Sequence, residues 1–118
     1  MAERLFDAER RFMDIIWDAE PVNSTELTKL TLQALGWKKS TTYNMLRRLC
    51  ERGFAKNEDA TVTALVSREE YLCRESNDLI DKSFSGSMPA FVAAYLRDRR
   101  LSQNEIEDLH RMIEEARD

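Results

Sequence analysis

Residues 36–54, GWKKSTTYNMLRRLCERGF, give the clearest indication of the fold. Their apolar side chains recur at i, i+3 and i+4 spacing, which predicts a helix from Ser40 to about Arg52 with one buried face. That face consists of Thr42, Met45, Leu46, Leu49 and Cys50. Gly53 is predicted to end this helix and Gly36 to end the helix before it, because glycine readily adopts the left-handed conformation in which helices end.

The outer face of this helix is polar and basic. A helical wheel places Ser40, Asn44 and Arg47 opposite the apolar face, with further polar side chains on both flanks. Hydroxyl, amide and guanidinium groups on one exposed stripe can reach base edges and phosphates in a DNA major groove. The candidate DNA-binding residues on and around this helix are Lys38, Lys39, Ser40, Thr41, Tyr43, Asn44, Arg47, Arg48 and Lys56. A solvated basic face on a helical protein is the alternative that this pattern alone leaves open.

Charge is distributed unevenly along the 118 residues. The whole chain carries a formal net charge of −4, which taken alone argues against a nucleic-acid partner. Residues 1–66, however, have 10 basic and 10 acidic side chains, whereas residues 67–118 have 8 and 12. Residues 38–56 hold six basic side chains against Glu51 alone, a net charge of +5. The basic groups therefore surround one helix, and a phosphate could sit between its N-terminus and the preceding lysines.

Two amphipathic helices are predicted before this one. The first runs from an N-cap at Asp7 to Glu20, where Pro21 stops it. Its predicted apolar face consists of Ala8, Phe12, Ile15, Ile16 and Ala19. The second begins at Asn23 and ends at Gly36, a favourable residue for a left-handed helix C-terminus.

A β-hairpin is predicted after the central helix. Residues Phe54–Lys56 and Thr61–Val66 are short segments, the second is rich in β-branched residues, and residues 57–60 supply a turn between them. Three helices followed by a hairpin are typical of a winged helix-turn-helix, which places its third helix in the major groove and its hairpin on the DNA backbone.

The C-terminal part is predicted to be helical. Capping boxes at Ser67 and Ser102 open two helices that end near Phe84 and Arg117. Between them, Met88–Leu96 contains no charged residue, and a short helix that is apolar all round must be buried on all sides. We expect a second copy of the chain to bury this helix in a dimer. The residues expected to form this dimer contact are Leu72, Leu79, Ile80, Phe84, Phe91, Val92, Tyr95, Leu96, Ile106, Leu109 and Ile113.

The predicted fold class is mainly α with a small β-hairpin wing: an N-terminal winged helix-turn-helix over 1–66 and a C-terminal helical dimerisation region over 67–118. No apolar run approaches the length of a membrane span and the start lacks the layout of a signal peptide, so a cytoplasmic location is expected. Two cysteines and one histidine offer little for a metal site. No catalytic motif occurs, so neither enzymatic activity nor a small-molecule cofactor is expected.

Three stretches of the chain resemble the BlaI/MecI/CopY, or penicillinase repressor, family of winged-helix transcriptional regulators. These are ERRFMDIIW (9–17), the central stretch at 36–54 and LSQNEIEDL (101–109). The resemblance implies a homodimeric repressor that binds a dyad-symmetric double-stranded DNA operator through its third helix. In several members, a membrane sensor-protease triggers cleavage of the dimerisation helices and so releases the operator. The cleavage position falls at Ala94 and Tyr95, with Ala where the family usually has Asn.

The resemblance assigns operator reading to Ser40, Thr41, Tyr43 and Asn44, and backbone proximity to Arg47 and Arg48. Members often carry Lys or Arg where this chain has Ser40 or Tyr43, so a different base sequence is expected. The hairpin tip Glu58-Asp59 is acidic where a wing that touches phosphate is usually basic. The chain lacks the C-terminal cysteine cluster of the copper-responsive branch, so copper sensing is not expected. The acidic hairpin tip and the missing basic residues at the reading positions are the features that favour the alternative function, a winged-helix protein-interaction adaptor that does not bind DNA.

Overall fold

Six helices and three short strands make up the described part of the chain, residues 4–118, in this computed structural model. The helices are α1 Asp7–Ala19, α2 Ser24–Leu35, α3 Lys39–Glu51, α4 Arg68–Ser83, α5 Met88–Tyr95 and α6 Gln103–Glu115. The strands are β1 Val22–Asn23, β2 Ala55–Glu58 and β3 Thr61–Ala64. This architecture confirms the predicted fold class.

The N-cap and the buried face of helix α1 differ from the prediction. Phe6 rather than Asp7 is the N-cap, because the Glu9 carboxylate accepts a 2.8 Å hydrogen bond from the Phe6 backbone N–H. Ala8, predicted on the apolar face, is exposed, whereas the neighbouring Glu9 is buried. The buried face is thus rotated by about one residue and consists of Glu9, Phe12, Met13, Ile16 and Trp17.

Helices α2 and α3 form the helix-turn-helix. Asn23 caps α2 by accepting a 2.8 Å hydrogen bond from the Thr25 N–H, and Gly36 ends it with φ +71° as predicted. Helix α3 begins at Lys39, one residue earlier than predicted. The buried hydroxyls of Thr31 and Thr42 lie 2.6 Å apart, so a hydrogen bond joins the two helices inside the core.

The sheet has one strand more than the sequence analysis predicted. Strands β2 and β3 form the expected antiparallel hairpin, and β1 pairs with the other edge of β3, giving the order β1-β3-β2. The turn comprises only Asp59 and Ala60, with φ of +50° and +64°, because a two-residue hairpin turn needs positive φ at both positions. The four-residue turn predicted over 57–60 is wrong in its first half, since Asn57 and Glu58 belong to β2.

The start of α4 belongs to the same compact unit as the winged helix. Contacts divide the chain into residues up to Ser76 and residues from Asn77 onward. Tyr71 is 2% exposed and packs against the rings of Trp17 and Phe54, while its hydroxyl accepts a 2.9 Å hydrogen bond from the Leu5 N–H. The functional division at residues 66 and 67 stays a prediction.

The second unit, residues 77–118, contains the end of α4 and helices α5 and α6. Ser87 caps α5, and Ser102 with Glu105 forms the predicted capping box of α6, with hydrogen bonds of 2.9 and 3.1 Å. Phe84 and Phe91 pack edge to face at 5.5 Å. No side chain of this unit is fully buried, so the unit has no closed core of its own. None of the helices within residues 4–118 combines the length and apolarity needed to cross a bilayer.

Candidate nucleic-acid interface

Helix α3 separates a buried side from an exposed polar side. Thr42, Leu46 and Leu49 are buried in the core of the winged helix. The predicted DNA-binding residues on the opposite side are exposed: Ser40, Thr41, Asn44, Arg47 and Arg48. The structure therefore brings these residues to one solvent-facing surface, supported by a packed inner face.

Tyr43 is half-buried beside the N-terminus of α2. Hydrogen bonds from the Ser24 and Thr25 hydroxyls lower the pKa of Tyr43, with a smaller contribution from the charge of Lys39. The Tyr43 side chain thus joins α3 to the first turn of α2. Lys38 is the N-cap of α3, and both lysines of this segment are exposed.

A buried carboxylate lies behind the basic end of α3. Glu9 is 1% exposed, forms an ion pair with Arg52, and has its Oε2 3.3 Å from the Nε of Arg48. Burial acts to raise the pKa of Glu9, but hydrogen bonds from Arg52 and the Phe6 N–H and both guanidinium charges outweigh it and lower the pKa. Arg52 also lies over the Phe54 ring, 5.2 Å from its centroid. We name Glu9, Arg48 and Arg52 the Glu9 cluster; it ties α1 to α3.

The sequence analysis missed the Glu9 cluster. Glu9 precedes Phe12, Met13 and Ile16 by 3, 4 and 7 residues, the spacing of one helix face. A carboxylate on an apolar stripe signals a buried charge that needs a cation, so this pattern could have revealed it.

The wing carries Lys56 in a largely acidic setting. The Nζ of Lys56 lies 3.4 Å from Oε1 of Glu58, and both side chains are exposed. With Asp59 at the turn, the tip presents two carboxylates and a partly neutralised lysine. The wing therefore adds little positive charge to the surface of α3.

The predicted dimerisation residues lie mainly on exposed or half-buried faces. Leu72, Leu79, Val92, Tyr95, Ile106, Leu109 and Ile113 are exposed, and Ile80, Phe84, Phe91 and Leu96 are half-buried. Helices α5 and α6 border an apolar groove of about 370 Å³. Ala94 and Tyr95, at the predicted cleavage position, are exposed in the last turn of α5.

Within residues 4–118, no three side chains of His, Cys, Asp or Glu are grouped closely enough to hold a metal ion. Cys50 is half-buried against the core, and burial raises the pKa of its thiol. The exposed side chains of α3 are hydroxyl, amide and guanidinium groups, which act through hydrogen bonding and charge.

A protein-family model and several individual proteins match almost the whole length of the chain. The penicillinase repressor family model matches residues 5–115. The chain is 25% identical to the penicillinase repressor of Bacillus licheniformis, over 95% of this chain and 91% of that protein. It is 26% identical to the methicillin resistance regulatory protein MecI of Staphylococcus aureus strain Mu50, over 90% and 89% of the two chains. A 16.5 kDa protein of Latilactobacillus sakei is 27% identical, over 90% of this chain and 75% of that one.

Proposed function

The chain belongs to the penicillinase repressor family, and from that membership we propose that it is a homodimeric transcriptional repressor that binds a dyad-symmetric DNA operator. The family match confirms the resemblance that the three sequence stretches indicated. The named relatives are regulators of transcription rather than enzymes, and this chain is accordingly a regulator and not an enzyme.

The proposal that the protein binds DNA depends most on the exposed side of α3. Ser40, Asn44 and Arg47 follow one another at i, i+4 and i+7 on a solvent-facing stripe. In the major groove, an amide can pair with adenine through two hydrogen bonds, and a guanidinium with guanine or a phosphate. The buried inner side of α3 keeps this stripe rigid, which favours base-specific contacts over loose attraction.

Phosphate contacts are proposed for the N-terminal side of α3. Lys38 and Lys39 are exposed there, and Tyr43 lies beside the first turn of α2. Helix N-termini favour anions through free N–H groups and the helix dipole. Lysines beside such a site add charge without base preference, so they orient the protein on DNA rather than select a sequence.

Dimerisation is proposed through the second unit. It has no fully buried side chain, although α5 is apolar and Ile106, Leu109 and Ile113 form one stripe along α6. Exposed apolar surface of this extent is unfavourable in water and marks an interaction site. A second copy would cover it symmetrically, and the same symmetry would give the operator two inverted half-sites.

The salt dependence of DNA affinity tests the phosphate contacts. Each neutralised phosphate makes the slope of log K against log salt more negative by about 0.9, so Lys39→Gln should make the slope less steep by about 2 per dimer. Lys82→Gln, the same charge change outside the winged helix, serves as the control. Fluorescence anisotropy titrations at a series of salt concentrations, from low to moderate, measure this slope for each variant. Equal slopes for the two variants would contradict the proposed contacts.

Protease relief is proposed on the resemblance, with the exposed last turn of α5 as its site. Cleavage after Ala94 would separate α6 from the rest of the chain and so weaken the proposed dimer. Mass spectrometry of the protein from induced cells should show a fragment that ends at Ala94. If all of the protein remains uncleaved after induction, relief of repression by proteolysis is contradicted.

The acidic wing tip favours a second candidate, an adaptor that binds a protein through the winged helix. Glu58 and Asp59 would repel phosphate where a wing approaches the DNA backbone. An adaptor should recover no inverted repeat from a library of random duplexes, whereas the repressor should enrich one.

A further inference from the structure

The buried carboxylate of the Glu9 cluster binds its two arginines through different oxygens. Oε1 of Glu9 pairs with Nη1 of Arg52, whereas Oε2 lies 3.3 Å from Nε of Arg48. Oε2 is buried and forms no hydrogen bond with residues 4–118. A buried carboxylate oxygen without a hydrogen bond is costly, so the nearby charge of Arg48 is needed to compensate it. Glu9 therefore attracts the Arg48 guanidinium strongly towards α1.

The two arginines differ in their surroundings. The Arg52 side chain is 20% exposed, donates a 2.8 Å hydrogen bond to the Arg4 carbonyl and lies against the rings of Phe6 and Phe54. The Arg48 side chain is 56% exposed. It approaches Glu9 through Nε, and within residues 4–118 its guanidinium pairs with no second residue. Arg52 thus serves the interior, whereas Arg48 keeps its terminal nitrogens available to a ligand.

Arg48 borders the exposed stripe of α3. It follows Asn44 by four residues, and such residues are neighbours on a helix surface. A guanidinium can donate two parallel hydrogen bonds to a phosphate, because its donors form a planar fork. With Nε turned to Glu9, the two terminal nitrogens remain for a phosphate next to the base that Asn44 would contact.

Glu9 affects DNA affinity in two opposite ways. A long arginine side chain on a helix surface has many rotamers, and fixing one of them on binding lowers affinity. A side chain that is already held before binding avoids most of this loss. The negative charge of Glu9 itself repels phosphate. Because the two effects have opposite signs, a measurement can separate them.

We propose that Glu9 is a positioning residue for DNA binding, which holds the Arg48 guanidinium so that its terminal nitrogens meet a phosphate beside the exposed stripe of α3. The inference rests on the proposed function. It gives a buried residue of α1, outside the helix-turn-helix, a part in the affinity for DNA.

A double-mutant cycle separates positioning from charge and from folding. The variants are Glu9→Gln, Arg48→Gln and the two combined. Asp7→Asn is the control, because it removes a carboxylate from an exposed position in the first turn of the same helix. The probe is a duplex with one half-site of the operator that the wild type enriches from a random library. Anisotropy at pH 7 and fixed salt measures affinity, and circular dichroism verifies folding.

We expect Arg48→Gln to lower affinity about tenfold and Glu9→Gln about threefold, although the second change removes a negative charge. With Gln at position 48, Glu9→Gln should cause no further loss, because no guanidinium is left to position. A Glu9→Gln variant that binds as tightly as Asp7→Asn would overturn the inference, as would a loss that persists without Arg48. Failure to enrich any duplex would instead refute the proposed function.

Arg48→Lys keeps the inference testable if Glu9→Gln does not fold. This variant retains the positive charge at an exposed position, but an ammonium lacks the planar fork and cannot hold Glu9 and a phosphate as the guanidinium does. We expect Arg48→Lys to bind the half-site about as weakly as Arg48→Gln. Wild-type affinity for Arg48→Lys would overturn the inference, because charge alone would then suffice.

Discussion

Replacing Glu9 with Gln tests how the buried carboxylate stabilises the winged helix. The substitution removes the negative charge of the Glu9 cluster and keeps the size of the side chain. The amide oxygen can still accept the hydrogen bond from the Phe6 N–H, now 2.8 Å long. Arg48 and Arg52 lose their common anion, so two positive charges would face each other at the end of α3.

The expected cost follows from the exposure of the two cations. Removing one partner of a buried ion pair costs about 3–5 kcal/mol. The Arg48 side chain is 56% exposed and that of Arg52 20%, so water screens the charges left behind. We therefore expect Glu9→Gln to lower the free energy of unfolding by about 2–3 kcal/mol at pH 7.

The same contacts predict a pH dependence. The pKa of Glu9 is lowered from its ordinary value of 4.5. A carboxyl with a lower pKa in the folded state stabilises the protein above its unfolded pKa and loses this effect as pH falls through the folded pKa. The stability difference between wild type and Glu9→Gln should be full at pH 7 and shrink below pH 4.5.

Urea denaturation followed by circular dichroism measures the difference, at equal protein concentration because association shifts apparent stability. Asp7→Asn is the control, since Asp7 is exposed in the first turn of the same helix and carries the same charge. A Glu9→Gln variant no less stable than Asp7→Asn would show that the Glu9 carboxylate does not stabilise the winged helix. A difference unchanged down to pH 3 would refute the predicted pH dependence.

Three further predictions concern the core, the dimer and the reading surface. Tyr71→Phe should lower the free energy of unfolding by about 1–2 kcal/mol in urea, because the buried Leu5 N–H loses its acceptor. Leu109→Asp should shift the protein to monomers in light scattering, whereas Asn104→Asp, the same added charge off the apolar stripe of α6, should not. Asn44→Ala should weaken binding to the enriched operator by about 1–3 kcal/mol and leave the affinity for unrelated duplexes unchanged, as measured by anisotropy.

Local patterns in the sequence predicted most of the fold, since helix ends and faces depend on nearby residues. Gly36 and the Ser102–Glu105 box marked helix ends correctly. Strand β1 could not be found this way, because its two residues pair with β3 about 40 positions later in the sequence. Its length is set by tertiary pairing and not by β-propensity.

The prediction of the buried face of α1 was wrong for a similar reason. Hydrophobicity alone selected Ala8 over Glu9, because a carboxylate counts as polar at any position. Burial of Glu9 depends on Arg48 and Arg52, which lie about 40 residues away, on α3 and at its C-cap. The exposed stripe of α3, by contrast, follows from helical spacing alone, and the structure exposes Ser40, Asn44 and Arg47 as predicted.

Selection from a library of random double-stranded DNA tests directly whether the protein is a dimeric repressor that recognises a dyad-symmetric operator. The protein is incubated with the library at moderate salt, and the bound duplexes are recovered and sequenced over several rounds. A dimeric repressor should enrich an inverted repeat whose half-sites are centred about 10 base pairs, or a multiple of that, apart. An unchanged library, or an enriched motif without dyad symmetry, would contradict this function.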